Sequence, residues 1–109
     1  MNTKTERTRA LNDDLRQNFA GGLVVLTPGI RALELDLLSK IGEAVSTFKD
    51  FDQANDPYDE HDFGSVTVDS HVVFFKIDYF DLDLLNHSPD PSEPAVTRRV
   101  LTVMLAEEY

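Results

Sequence analysis

The fold is decided by residues 66–80, whose sequence is VTVDSHVVFFKIDYF. The stretch alternates up to Val68, continues with the polar pair Asp69-Ser70 and ends in a second run dense in Val, Phe and Tyr. This pattern is typical of a β-hairpin. In the second strand, successive side chains point to opposite faces of the sheet. One face carries Val72, Phe74, Lys76 and Asp78, and the other carries Val73, Phe75, Ile77 and Tyr79. We expect the second face to pack against helices.

The N-terminal half predicts a helix, a strand and a second helix. Apolar residues spaced four apart up to Phe19 indicate an amphipathic helix that ends at Gly21-Gly22. The continuous apolar run Leu23–Leu26, bounded by that glycine pair and by Thr27-Pro28-Gly29, predicts a buried strand. Apolar residues at spacings of three and four then predict a helix over residues 33–48.

Two polar loops and a final strand complete the predicted fold. Residues 50–62 have no apolar period and contain the turn sequence Asn55-Asp56-Pro57, and residues 81–94 form another polar loop. Residues 97–106 suit a strand or a helix, and we favour a strand because Val and Thr are frequent there. The order α-β-α-β-β-β predicts an α+β fold, with a mainly antiparallel sheet of about four strands covered by two helices. We expect a single domain over residues 1–109, in which residues 1–10 are a candidate disordered segment.

Composition restricts the classes of protein to which the chain can belong. The 109 residues carry a formal charge of -10 and no cysteine, which excludes disulfide scaffolds, thiolate metal sites and cysteine nucleophiles. No apolar stretch is long enough for a membrane span or a secretion signal, so we expect a cytoplasmic protein. The acid excess opposes direct binding to nucleic acid or to anionic membranes, since both are polyanions.

The negative charge is concentrated in one part of the chain. Residues 1–49 hold seven basic and six acidic side chains, and residues 94–109 are balanced. Residues 50–93 hold twelve acidic side chains against Lys76 alone, a net charge of −11. We expect Lys76 to act as a local counter-ion for Asp78 or for the acidic loops. A run of acidic residues indicates either a solvated face or a surface that binds a basic partner.

Several short sequences, distributed over residues 12–109, resemble one known family. They are Gly21-Gly22, Thr27-Pro28-Gly29-Ile30, Asn55-Asp56-Pro57, Glu60-His61-Asp62-Phe63-Gly64, Lys76-Ile77-Asp78-Tyr79, Ser88-Pro89-Asp90-Pro91 and Arg99-Val100-Leu101-Thr102. Their combination resembles domain of unknown function 3768, a family of small bacterial proteins often carried on plasmids and other mobile elements. The resemblance implies that genetic setting and assigns no activity and no catalytic residue.

The leading hypothesis is a non-enzymatic acidic module that binds a basic, nucleic-acid-binding protein and needs no cofactor. By analogy with small acidic inhibitors from mobile elements, it would act as a DNA mimic against a host CRISPR or restriction complex. Carboxylates two residues apart in a strand are separated by about 6.7 Å, and DNA phosphates by about 3.4 Å along each strand, so the charge densities are comparable. The candidate partner-binding residues are Asp50, Asp52, Asp56, Tyr58, Asp59, Glu60, Asp62, Asp78, Phe80, Asp81 and Asp83.

Two alternatives remain open at the level of sequence. The first is a metal-dependent hydrolase or nuclease, because Glu60, His61 and Asp62 carry groups that bind divalent metals or transfer protons, and Asp78 is a further candidate. His61, Asp62 and Asp78 would then be the catalytic residues. The second is a structural protein that forms a homodimer through its aromatic hairpin. A solvated loop in which His61 hydrogen-bonds backbone is the plainer interpretation of the same residues.

Overall fold

The computed structural model describes residues 3–109 and has helices and strands in an order close to the expected one. Along the chain they are α1 (Thr3–Asn18), β1 (Leu23–Leu26), α2 (Pro28–Arg31), α3 (Leu35–Thr47), β2 (Phe63–Val68), β3 (His71–Phe80) and β4 (Arg98–Leu105). Two short 3-10 turns, Pro94–Val96 and Ala106–Glu108, flank β4.

The four strands form one sheet in the order β1-β4-β3-β2. β2 and β4 each pair antiparallel with β3, whereas β1 pairs parallel with β4. The α+β class is therefore confirmed, but the sheet is mixed and three helices, rather than two, accompany it. The parallel pair is possible because two helices and the hairpin separate β1 from β4, so the chain has room to return in the same direction.

The predicted hairpin is confirmed in its turn and in its register. Val68 pairs with His71, and the two residues between them, Asp69 and Ser70, have φ values of 47° and 72°. Two consecutive positive φ values are characteristic of a type I′ turn, whose twist matches that of the paired strands.

The core lies between the sheet and the helices, on the face that the sequence predicted. Its fully buried members include Leu15, Ile30, Ile41, Val45, Val73, Phe75, Ile77, Leu101 and Val103. Tyr79 lies on the same face of β3 but is only partly buried, since it is at the end of the strand.

A buried arginine joins α1 to α3. Arg16 donates through Nη1 to the carbonyl oxygens of Val45, Ser46 and Phe48, at 3.0, 3.2 and 2.8 Å. The last carbonyls of a helix have no partner within it and carry its negative partial charge. The guanidinium therefore caps the end of α3 and holds it against α1.

Strand β1 differs from the sequence-based expectation of a buried strand. Its four residues are exposed by 36–43%. The reason is its position: β1 is the last strand of the sheet, with β4 on one side and solvent on the other. An apolar run thus marks an edge strand here.

The two ends of the chain give one correction and one confirmation. Residues 3–10 of the candidate disordered segment belong to α1, where Thr8 is buried, and Met1 and Asn2 lie outside the described residues. The final segment is a strand, β4, as favoured. Within residues 3–109, no helix is both long enough and apolar enough to cross a membrane.

Candidate functional site

Both acidic loops lie at one end of the sheet. β2 begins at Phe63 and β3 ends at Phe80, and because the two strands are antiparallel, these residues are at the same end. Asp62, just before β2, lines a pocket of about 350 Å³ together with Leu85 and His87 from the loop after β3. We call residues 50–62 and 81–93 together the acidic end.

The first loop is ordered by hydrogen bonds to its own carboxylates. Asp52 Oδ1 accepts from the backbone N–H groups of Ala54 and Asn55, at 2.9 and 3.1 Å. Asp56 Oδ1 accepts from the backbone N–H groups of Glu60 and His61, at 2.8 and 3.0 Å. Such bonds replace the regular ladder of a helix or strand and define the loop conformation.

Asp56 corrects one of the expected partner-binding residues. Only 3% of it is exposed, and its second carboxylate oxygen lies 3.8 Å from Nε2 of His61. A carboxylate is stable at this depth because backbone donors satisfy it. Asp56 therefore builds the loop and does not face a partner.

His61 attaches the loop to helix α1. Its Nδ1 lies 2.8 Å from Oδ1 of Asp13, which also accepts from Nη2 of Arg16 at 3.1 Å. Its ring stacks on Phe51, with ring centroids 4.0 Å apart and planes at 4°. Internal contacts thus occupy both the Nδ1 atom and the aromatic ring of His61.

Glu60 joins a buried hydrogen-bond chain that the sequence did not indicate. Tyr79 donates its hydroxyl to Glu60 Oε1 at 2.7 Å and accepts from Asn12 Nδ2 at 2.7 Å. Asn12 Oδ1 accepts from Arg99 Nε at 2.8 Å, and Arg99 Nη2 donates to the carbonyl of Pro91. The chain connects both loops of the acidic end through α1, β3 and β4.

The hydrogen-bond chain leaves a pattern in the sequence, but the pattern can be recognised only once the structure is known. Thr8, Asn12 and Arg16 are spaced by four, so they form a polar stripe along α1, and all three are buried. Sequence reasoning follows the neighbouring apolar stripe, because polar stripes usually face water.

Burial raises the pKa of the Tyr79 hydroxyl, and its hydrogen bond to Glu60 raises it further.

Asp62 lines the pocket between the two loops. Burial, followed by the negative charges of Glu60, Asp56 and Asp78, raises the pKa of Asp62 to about 6. Asp78 in the same pocket pairs with Lys76 at 3.0 Å, which confirms Lys76 as its counter-ion. Burial and, to a smaller extent, the neighbouring carboxylates thus disfavour the charged form of Asp62.

The residues of the alternative metal site are not brought together. Glu60 is bonded to Tyr79, His61 faces Asp13, and Asp62 faces the pocket. Among residues 3–109, no group of three or more His, Asp and Glu side chains is arranged to hold a metal ion. The chain bends here, with φ values of 59° at Asp59 and 55° at His61, so the three side chains do not converge.

The second loop presents apolar and acidic side chains on a compact turn. Asp81 accepts from the backbone N–H of Leu85 at 3.0 Å, and its own N–H donates to the carbonyl of Asn86 at 2.8 Å. The hydrogen bond from Leu85 lowers the pKa of Asp81. Between these bonds, residues 82–85 are exposed, including Leu82, Leu84 and Leu85.

The expected partner-binding residues thus separate into three groups. The exposed ones are Asp50, Asp52, Tyr58, Asp59 and Asp83. The partly buried ones are Glu60, Asp62, Asp78, Phe80 and Asp81, and Asp56 is buried. Sequence reasoning missed the exposed leucines, which an alternation of Asp and Leu over residues 81–85 could have indicated. The accessible part of the acidic end therefore combines carboxylates with apolar side chains.

Comparison with known proteins gives one informative match. A family model described as "Protein of unknown function (DUF3768)" matches residues 26–108, which include both loops of the acidic end. No curated protein and no solved structure matches the chain.

Proposed function

Because the chain belongs to the DUF3768 family of proteins of unknown function, we propose its function from the acidic end itself. It is an acidic protein-binding module, and its partner is a basic, nucleic-acid-binding protein. The observation that carries this proposal is the convergence of the two acidic loops at one end of the sheet, with large apolar side chains exposed among the carboxylates.

The mixture of apolar and acidic groups favours a binding surface over a merely solvated one. Tyr58 is 75% exposed and Leu85 is 78% exposed, in loops that otherwise carry carboxylates. Large apolar side chains supply most of the binding energy at interfaces, and surrounding charges supply specificity and rate.

The two loops are also ordered before any partner binds. The carboxylates of Asp52, Asp56 and Asp81 each accept backbone hydrogen bonds within their own loop. The buried chain through Asn12 and Arg99 links the loops to the helices and strands. Ordered loops lose less conformational entropy on binding, so more of the contact energy appears as affinity.

The chemistry of the partner follows from the sign of the charge. The acidic end, residues 50–62 and 81–93, carries ten acidic side chains and no Lys or Arg, so it repels nucleic acid and attracts the basic groove that binds it. We therefore propose that the module acts as a DNA mimic in the cytoplasm, inhibiting a CRISPR or restriction complex of the host. The resemblance to a family carried on plasmids and other mobile elements supports that setting.

Competition with DNA tests the proposal. The protein, immobilised and exposed to a bacterial host lysate at low salt, should retain a basic nucleic-acid-binding protein that mass spectrometry identifies. Once that protein is purified, saturating duplex DNA should displace it from the bait. Retention in the presence of DNA would exclude the DNA-mimic mechanism, and failure to retain any basic protein would exclude the binding module.

A further inference from the structure

The free edge of β1 is short, at four residues, but it lacks the charge, proline or bulge that commonly prevents edge strands from pairing. β1 is the outer strand of the sheet, its sequence is LVVL, and all four side chains are exposed by 36–43%. Edge strands of monomers usually carry a charge, a proline or a bulge. None of these interrupts Leu23–Leu26.

The backbone of β1 has hydrogen-bonding groups directed at this edge. The Thr27 N–H donates to the Val103 carbonyl at 3.2 Å, so the odd-numbered residues of β1 face β4. Successive backbone groups of a strand point to opposite sides. The N–H and C=O groups of Val24 and Leu26 therefore point outward from the sheet.

An apolar groove lies beside the same edge. It has a volume of about 260 Å³ and runs over β1 towards α3, with Phe19, Val24, Leu26 and Leu38 among its lining residues. Phe19 is itself exposed. The groove thus gives access to the core on the same side of the molecule as the free edge of β1.

We infer that the free edge of β1 binds the same edge of a second copy, forming a two-fold symmetric homodimer with one continuous sheet. The inference is independent of the proposed function. The interface differs from the aromatic hairpin suggested by the sequence, because the hairpin lies on the opposite side of the sheet.

Symmetry restricts the register of this pairing. A two-fold axis perpendicular to the sheet makes the strands antiparallel and places a residue opposite its own copy. With Val25 on the axis, Val24 of each copy lies opposite Leu26 of the other. The outward N–H and C=O groups of these residues then form four hydrogen bonds, and no outward group of Val24 or Leu26 is left without a partner.

Charge favours the antiparallel orientation. Leu82 of the acidic end and Leu23 line a common pocket, so the acidic end lies at the beginning of β1. The other end of β1 holds Arg31 of α2 and the carboxylate of Glu108, which accepts hydrogen bonds from Thr27 and Gly29. Antiparallel pairing places the two acidic ends on opposite sides of the two-fold axis, whereas parallel pairing would place them side by side, so the antiparallel orientation lowers the repulsion between them.

The interface is small. Four strand residues and the rim of the groove from each copy form a contact smaller than the roughly 800 Å² per partner of a standard interface. We therefore expect a reversible dimer whose population depends on protein concentration.

Light scattering and a single cysteine test this interface. Light scattering across about three decades of concentration should follow a monomer–dimer equilibrium. In this cysteine-free chain, Val25→Cys places two thiols opposite each other at a non-hydrogen-bonded pair, about 4.5 Å between Cα atoms, which suits a disulfide. Mild oxidation should then give a covalent dimer.

The matched control is Val72→Cys on β3. Val72 is 44% exposed and Val25 is 43% exposed, so accessibility alone predicts equal rates. We expect Val25→Cys to cross-link at least about tenfold faster. A wild-type monomer at the highest concentration, or equal rates for the two variants, would overturn the inference. Faster cross-linking of Val72→Cys would also overturn it, by assigning the dimer to the hairpin.

Discussion

The hydroxyl of Tyr79 donates a hydrogen bond to Oε1 of Glu60 at 2.7 Å, joining the end of strand β3 to the acidic loop that precedes β2. The same hydroxyl accepts from Asn12 of helix α1. One phenol therefore connects three parts of the chain that are distant in sequence. It also holds the partly buried carboxylate of Glu60 against the fold.

Removing this hydroxyl should destabilise the fold. Tyr79→Phe leaves Glu60 Oε1 and Asn12 Nδ2 without a shared partner in a partly buried site, so the free energy of unfolding should fall by about 1–2 kcal/mol. Urea denaturation measures the loss. The control is Tyr58→Phe, whose ring is exposed and whose stability should match the wild type. Equal losses in the two variants would contradict the structural role of Tyr79.

Asp62 should make the stability depend on pH. Its pKa in the folded protein is raised from 3.8 to about 6, by burial first and then by Glu60, Asp56 and Asp78. The folded state therefore binds the proton more tightly than the unfolded chain does. The stabilising contribution is complete below the unfolded value of 3.8 and is lost as the pH rises through about 6.

Asp62→Asn should remove that loss. We expect the variant to exceed the wild type by about 1 kcal/mol at neutral pH, after discounting for partial solvent access, and to match it near pH 4. Chemical denaturation at several pH values measures the difference. Asp83→Asn, at an exposed position, is the control and should show no such crossover. A difference that is constant with pH would show that Asp62 does not titrate as described.

Asp81 should order the second loop without supporting the whole fold. Its carboxylate accepts from the N–H of Leu85 and lies 3.5 Å from Nδ2 of Asn86. Asp81→Ala removes these acceptors, so amide exchange at Leu85 should accelerate at least about tenfold, with little change in the melting temperature. Hydrogen exchange mass spectrometry resolves this loop. Asp83→Ala should leave the exchange unchanged, and a similar acceleration there would contradict the role of Asp81.

The alternation of apolar side chains and the turn-forming residues predicted most of the sheet. The alternation in residues 66–80 predicted the hairpin, its turn at Asp69-Ser70 and the buried face of β3. The choice of a strand for the final segment was also correct, because β-branched residues suit the centre of a sheet. Both features depend on local side-chain patterns.

The features that sequence missed depend on long-range contacts. Leu23–Leu26 has the composition of a buried strand, and only the sheet order places it at an edge. Asp56 lies in a segment with the composition of a surface loop, and only its hydrogen bonds to backbone N–H groups explain its burial. Asn12 and Arg99 are 87 residues apart, so no local pattern could predict their hydrogen bond. The sequence located the acidic segment, but only the three-dimensional structure distinguishes its exposed carboxylates from its internal ones.

Binding of a basic protein by the acidic end can be tested with paired charge variants. Asp50, Asp59 and Asp83 are exposed residues of the acidic end, and the helices carry three comparable exposed acids, Glu6, Asp36 and Glu43. Both triple variants, D50N/D59N/D83N and E6Q/D36N/E43Q, change the net charge equally.

The decisive measurement is the affinity of each triple variant for the captured partner as a function of salt concentration. We expect D50N/D59N/D83N to bind about tenfold more weakly at low salt and with a shallower salt dependence, and E6Q/D36N/E43Q to remain close to the wild type. Equal affinities and equal salt dependence for the two variants would contradict this expectation.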